Sequence, residues 1–238
     1  MSRPTGAPHP GGASRSEGAS RSEGAPYGLA ILDFDGTLAD SFPWFCRVLN
    51  GVADRYGFRR VAAEEIELLR GLGAQAVLRH LAVPAWKLPL IARHMRALAA
   101  RDIAELRLFP GIAALLHRLD AGGVRLAVVT SNREDIVRRV LGPENAARIA
   151  HFACGSALFG KARRFRAVVR GSGIAPGRVI CLGDEIRDAE AAASCGLAFG
   201  AVTWGYTRPE ALAALRPGHL FDTPEAVAAA LLPARVPV

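Results

Sequence analysis

The stretch YGLAILDFDGTLADS, Tyr27 to Ser41, decides how the chain is read. It runs apolar through Leu32, as a strand buried on both faces would, and then ends in two aspartates one residue apart, Asp33 and Asp35. Residues two apart on a strand leave on the same face, so the two carboxylates stand side by side. An unpaired buried carboxylate is costly, and a pair this close calls for a cation or a shared proton. A turn after the strand accounts for Gly36 and Asp35 in "DGT" but not for Asp33, which lies inside the apolar run.

Outward from this stretch, short runs rich in Val, Ile and Leu alternate with longer helical patterns. The strand candidates are YGLAILDF, VRLAVVT (Val124 to Thr130), HFACG (His151 to Gly155), RVICLG (Arg178 to Gly183) and LAFGAVTW (Leu197 to Trp204). The alternation predicts an α/β fold, a doubly wound, Rossmann-like parallel sheet with crossover helices. The first two strands are separated by about 90 residues, far more than one crossover helix needs. Residues 42–107 carry helical periodicity throughout and no convincing strand, which predicts an all-helical cap domain inserted into a core of residues 27–41 and 108–238. "LFPGI", Leu108 to Ile112, marks the return, with Pro110 suited to the first turn of the next helix. Residues 1–26 are Ser, Gly, Ala, Pro and Arg with GASRSE repeated in tandem, the composition of a disordered tail.

With 238 residues, half of them hydrophobic, the chain can bury roughly 70% of its unfolded surface. The net charge of +8 comes almost wholly from arginine, since Lys87 and Lys161 are the two lysines. The arginines are scattered, without a basic run interleaved with aromatics, which argues against nucleic-acid binding. Cys46, Cys154, Cys181 and Cys195 lack zinc-type spacing and read as free thiols. No stretch approaches the ~20 apolar residues of a membrane span, so the expectation is a soluble, cytoplasmic protein that meets no membrane. The six histidines are dispersed and read as surface or local packing residues, and Trp44, Trp86 and Trp204 read as packing residues.

Two further strands end in polar groups: LAVVT in Thr130, followed by Ser131 and Asn132, and VICLG in Asp184. The carboxyl ends of parallel strands in such a sheet line one crevice, so these groups converge with Asp33 and Asp35. A helix-cap role for Thr130 or Ser131, and a helix-dipole role for Asp184, Glu185 and Asp188, explain each alone but not the convergence. Lys161 opens an amphipathic helix with Ala162, Phe165, Val168 and Val169 on one face. A cation in the first turn opposes the helix dipole, and lysine in an arginine-rich chain points to a need for a compact ammonium.

Together these residues resemble the haloacid dehalogenase superfamily of phosphotransferases. DFDGT matches its first motif, Thr130 its second, Lys161 its third and GDEIRD (Gly183 to Asp188) its fourth, in order and without departure. A helical insert between the first two motifs resembles that family's type 1 cap, and LFPGI with VVTSN looks most like its phosphoglycolate-phosphatase-like branch. The resemblance implies a magnesium-dependent phosphatase acting on a small phosphorylated substrate. Asp33 is then the nucleophile that becomes an aspartyl-phosphate, and Asp35 the general acid and base. Magnesium is held by Asp33, the Asp35 carbonyl and Asp184, and Thr130 and Lys161 bind the phosphoryl oxygens. Ser131 and Asn132 are further substrate candidates, and Asp188 and Glu185 stand behind the ligands. The insert supplies specificity, with Arg70 as a contact to a substrate anion and Lys87 as a weaker candidate. A phosphomutase carries the same motifs, and a receiver-type phospho-acceptor domain a related residue set. Oligomeric state is not legible.

Overall fold

The computed structural model describes residues 25–155 and 160–233. The expected tail thus lies outside the described residues but for Ala25 and Pro26. In chain order the elements are β1 (Leu29–Leu32), β2 (Ala39–Asp40), α1 (Phe42–Tyr56), α2 (Ile66–Leu69), α3 (Ala74–His80), α4 (Leu88–Arg101) and β3 (Arg107–Leu108). There follow α5 (Ile112–Ala121), β4 (Arg125–Val129), α6 (Glu134–Ala147), β5 (Ile149–Ala153), α7 (Lys161–Ser172), β6 (Val179–Gly183), α8 (Ile186–Ala193), β7 (Ala198–Val202), α9 (Pro209–Ala214), β8 (His219–Phe221) and α10 (Pro224–Leu231).

Six strands form one parallel sheet in the order β5-β4-β1-β6-β7-β8. The chain fills one half outward from β1 to β5 and then returns to start the other half at β6, so the strand order reverses at the β1–β6 seam, where doubly wound sheets bind ligands. Each β1 residue is buried because both faces are covered. Ala30 and Leu32 pack with Leu116 and Leu119 of α5, Val137 of α6 and Val227 and Leu231 of α10. Leu29 and Ile31 pack with Phe165 and Val168 of α7 and Ala192 of α8. The five sequence-read strands all form, four of them shortened, while the strand expected at His151–Gly155 starts earlier and runs Ile149–Ala153. The sixth, β8, is three residues long, too short to announce itself by an apolar run.

Between β2 and β3 the chain is helical, while the two short strands pair antiparallel, Ala39 with Leu108 and Asp40 with Arg107. They form a stem from which the helical segment leaves and to which it returns. Arg107, expected within the helical stretch, therefore belongs to a strand. Val61, Leu69 and Leu81 make a small core within that segment. A second cluster joins Trp44, Met95, Leu98 and Ala99 of α1 and α4 to Ile136 and Val140 of α6, fastening α4 beside the β4–α6 loop. Pro110 is not in the first turn of α5: Gly111, at φ 83°, caps that helix, and Pro110 precedes the cap. Trp86 is 71% exposed with the Lys87 ammonium 5.1 Å from its ring centroid, so it is not a packing residue. All four cysteines are free, and Cys181 alone is fully buried.

Leu116 is fully enclosed between α5 and the sheet. Leu116→Ala should lower unfolding free energy by about 2–5 kcal/mol in urea titrations, the range for a core leucine whose cavity cannot collapse.

Candidate active site

The sheet geometry places the site before any side chain is considered. Leu32 pairs with Leu182 across the β1–β6 seam, and the Asp33 N–H donates to the Leu182 carbonyl at 2.9 Å. Asp33 thus leaves β1 abreast of Gly183, one residue before Asp184. On the other flank Leu32 pairs with Val128, two residues before Thr130. Asp33, Thr130, Lys161, Asp184 and Asp188 are all at most 5% exposed, although every one carries a polar or charged group.

Their charges are arranged in pairs. The Lys161 ammonium lies 2.5 Å from Asp33 Oδ2 and also bonds Asp188 Oδ1. Asp188 Oδ2 accepts the Glu185 N–H at 3.2 Å, so Asp188 both caps its own helix and holds Lys161. Asp184 is held at both oxygens, by the Thr37 hydroxyl at 2.7 Å and the Tyr206 N–H at 2.8 Å. Carboxylate oxygens of Asp33, Asp184 and Asp188 lie within 4.8 Å of one another. Asp35, partly exposed, is not in that cluster; its carboxyl meets the Ser41 hydroxyl, itself 3.0 Å from the Tyr206 hydroxyl.

Burial sets the protonation of the cluster. Loss of hydration pushes Asp33 up to about 7 even against the pull of Lys161, and it lifts Asp35 as well. Asp184 rises well above the carboxylate range through burial, with Glu185 and Asp33 adding like-charge repulsion. Burial works against the Lys161 ammonium, but Asp188 and Asp33 outweigh it and its pKa rises. Tyr206 is likewise raised well above its usual value, by burial first and Asp35 next. Five carboxyl groups (Asp33, Asp35, Asp184, Asp188, Glu185) thus face two cations, Lys161 and Arg187. An uncompensated cluster of hard oxygen donors at these separations fits a small divalent cation, and Asp33 Oδ2 is buried without a hydrogen bond of good geometry.

The remaining sequence-read residues divide. Thr130 Oγ1 accepts the Asn132 N–H at 3.0 Å, which leaves its hydroxyl proton to donate elsewhere. The Asn132 side chain accepts the Arg133 N–H at 2.9 Å, and Ser131 is half-buried in the same loop. Glu185 pairs with Arg187. Arg70 does not offer itself to a substrate anion: its guanidinium donates to the carbonyls of Tyr206 and Gly205, both at 3.0 Å, and to Glu67 at 2.9 Å. Lys87 donates to the Tyr56 carbonyl at 2.6 Å, within the insert. Sequence reasoning missed Thr37, Ser41, Arg187 and Tyr206. The available signal was WGYT, an aromatic and glycine run just past a strand, where a loop over the crevice begins.

Gly36 is dictated by this packing. Its φ is 78°, and a Cβ there would stand 2.2 Å from Asp184 Oδ2. Gly123, at φ 77°, has nothing within 4 Å of the same position. Gly123→Ala should therefore cost about 1–2 kcal/mol of backbone strain, and Gly36→Ala about 1–3 kcal/mol beyond that through overpacking, both read from urea unfolding.

Comparison with known proteins gives this arrangement its context. Residues 30–202 match the family described as haloacid dehalogenase-like hydrolase. The chain is 30% identical over 195 residues to the phosphoglycolate phosphatase of Synechococcus elongatus, a match covering 82% of this chain and 92% of that protein. A haloacid dehalogenase-like family hydrolase from Streptococcus pneumoniae superposes with a TM-score of 0.70 at 20% identity, over 86% of this chain and 98% of that one. CbbY from Rhodobacter sphaeroides, solved in complex with phosphate, superposes with a TM-score of 0.63 at 25% identity, over 86% and 99%. With the family match spanning most of its length and the site built at the seam of the sheet, the chain belongs to the haloacid dehalogenase-like hydrolases.

Proposed function

We propose that the protein is a magnesium-dependent phosphatase that hydrolyses a small phosphate monoester, phosphoglycolate or a related phosphorylated metabolite, through an aspartyl-phosphate on Asp33. The observation that carries this reading is the buried Asp33 carboxylate with Lys161 Nζ 2.5 Å away and two more aspartates within 4.8 Å. It is supported by the similarity to a phosphoglycolate phosphatase and to a fold relative that binds phosphate.

In this mechanism an Asp33 oxygen attacks phosphorus in line with the departing alkoxide. Lys161, bonded to Asp188 and ion-paired with Asp33, offers a proton to a phosphoryl oxygen, and the Thr130 hydroxyl offers another. Asp35, whose pKa is raised by burial, gives its proton to the leaving oxygen. It then takes a proton from the water that attacks phosphorus, which breaks the acyl-phosphate bond and restores Asp33. A magnesium ion held by Asp33, the Asp35 carbonyl and Asp184 would neutralise the gathered carboxylates and the phosphoryl oxygens. Ser41 and Tyr206 keep the Asp35 carboxyl turned to the leaving group.

Asp33→Asn should abolish phosphate release, whereas Asp35→Asn should lower turnover by about 100- to 10,000-fold while still adding one phosphoryl group to Asp33, seen by intact-protein mass spectrometry. Full activity of Asp35→Asn would refute its role. A separate expectation concerns stability. An acid whose pKa is higher folded than unfolded binds its proton more tightly when folded, so its contribution is lost as pH rises from the unfolded value toward the folded one. For Asp33 that window runs from 3.8 to about 7. Asp102, held at about 2 chiefly by the Arg101 side chain, and Glu65, held at about 2 chiefly by the Ala62 N–H, lose their contribution on acidification, as pH falls from 3.8 and 4.5 respectively toward about 2. In chelator, the melting temperature should fall between pH 5 and pH 7, Asp33→Asn should flatten that fall, and added magnesium should raise the melting temperature more at pH 7 than at pH 5.

A further inference from the structure

Arg96, on α4 of the inserted segment, is one of five arginines there, with Arg55, Arg79, Arg93 and Arg107, that have no carboxylate partner among the described residues, and of the five it is the one bonded to the β4–α6 loop. Arg47, Arg59, Arg60, Arg70 and Arg101 each pair with a carboxylate, and Lys87 is bonded to a carbonyl. Arg96 has no acidic partner among the described residues. It is half-buried, and its one contact is a bond of 3.4 Å from Nη1 to the carbonyl of Ser131. Ser131 follows Thr130 directly, so the guanidinium stands beside the loop that faces the phosphoryl position. Its placement is not an accident of a mobile side chain. Met95, Leu98 and Ala99 on the same helix pack against Ile136 and Val140 of α6, and α6 begins where that loop ends.

We propose that Arg96 is a specificity residue that binds a carboxylate on the non-phosphoryl end of the substrate, and that the preferred substrates are small phosphate monoesters carrying that second anion. The inference rests on the phosphatase reading above and narrows it. Three observations lead to it. The crevice floor holds five carboxyl groups, so a substrate with a second anion is repelled unless a cation on the opposite side offsets them. Arg70, the other arginine of the segment that reaches a crevice loop, has its donors spent on the Gly205 and Tyr206 carbonyls and on Glu67. The bond from Arg96 to Ser131 is long, and its partner is neutral, so a carboxylate that accepts two charge-assisted bonds from the guanidinium displaces it at little cost. Because Ser131 adjoins Thr130, the second anion must lie within a short spacer of the phosphate.

The test is the initial rate of phosphate release, with magnesium, from 2-phosphoglycolate and from ethyl phosphate, which is of similar size and lacks the carboxylate. Wild type should favour the carboxylated ester. Arg96→Ala should lower kcat/KM for that ester by about 10- to 100-fold, chiefly through KM, and leave ethyl phosphate within about threefold, which also reports an intact fold. Arg96→Gln, which keeps a donor for the Ser131 carbonyl but not the charge, should behave like Arg96→Ala, and Arg96→Lys should recover part of the preference. Equal loss on both esters, no loss on the carboxylated one, or a wild-type preference for ethyl phosphate would overturn the role of Arg96 while leaving the phosphatase intact. Release from neither ester by folded wild-type protein would instead overturn the phosphatase reading itself.

Discussion

Negative charge gathered at the seam between β1 and β6 is the constraint around which the rest of the structure is organised. Asp33, Asp184 and Asp188 are almost without solvent contact, and neighbouring parts of the chain supply what water would otherwise provide. Thr37 and the Tyr206 amide hold Asp184, Lys161 holds Asp33 and Asp188, and the Glu185 amide caps Asp188. Crowding then selects the residues that touch these groups. A Cβ at Gly183 would lie 2.4 Å from Asp188 Oδ2, and one at Gly205 would lie 2.3 Å from the Asp184 side chain. These glycines are required by the carboxylates packed against them, not by loop flexibility. Lysine at position 161 follows from the same crowding, since a compact ammonium can face two carboxylates where a planar guanidinium needs more room.

The helical segment is fastened to the sheet at two separated places, and the fastenings differ in kind. Arg70 is bound into the β7–α9 loop, its guanidinium is 5.1 Å from the Phe42 ring centroid, and the Arg208 N–H returns a bond of 2.9 Å to the Arg70 carbonyl. Tyr206, in that loop, stands edge-on to Phe42 at 4.9 Å and beside Phe45 at 5.5 Å. The α4 contact with α6 is apolar instead, through Ala99 and Ile136. Polar geometry thus holds one side and shape holds the other, with the Asp35 carboxyl and the Thr130 hydroxyl on the floor between them.

Much of this is legible in the amino-acid sequence, for physical reasons that differ by residue. The central strands are buried on both faces, so each appears as an unbroken apolar run, and a charged or polar residue at the end of such a run is conspicuous. Asp33, Asp184 and Thr130 are read in this way. Lys161 stands out because the chain otherwise uses arginine. Residues whose importance depends on partners far along the chain give no such signal. Ser41 meets Tyr206 across 165 residues, and Thr37 meets Asp184 across 147. Arg70 illustrates the opposite error, since an arginine at a helix end looks available in the sequence, and only folding reveals the backbone carbonyls that occupy it. Strand β8 escaped notice because an edge strand of three residues buries too little to impose a pattern.

The stem of β2 and β3 has a consequence for how such a protein changes over generations. Where the inserted segment begins and ends, the two chain directions are locked one strand spacing apart, roughly 4.8 Å. The central sheet therefore experiences the insertion as a closed hairpin, whatever lies beyond it. Any folded unit whose own ends meet can occupy that position without disturbing the register of β1 against β4 or β6. Under the proposed reading the reacting groups stay on the sheet while Arg96 sits on an exchangeable module, so selectivity would drift without re-solving the burial of the carboxylates.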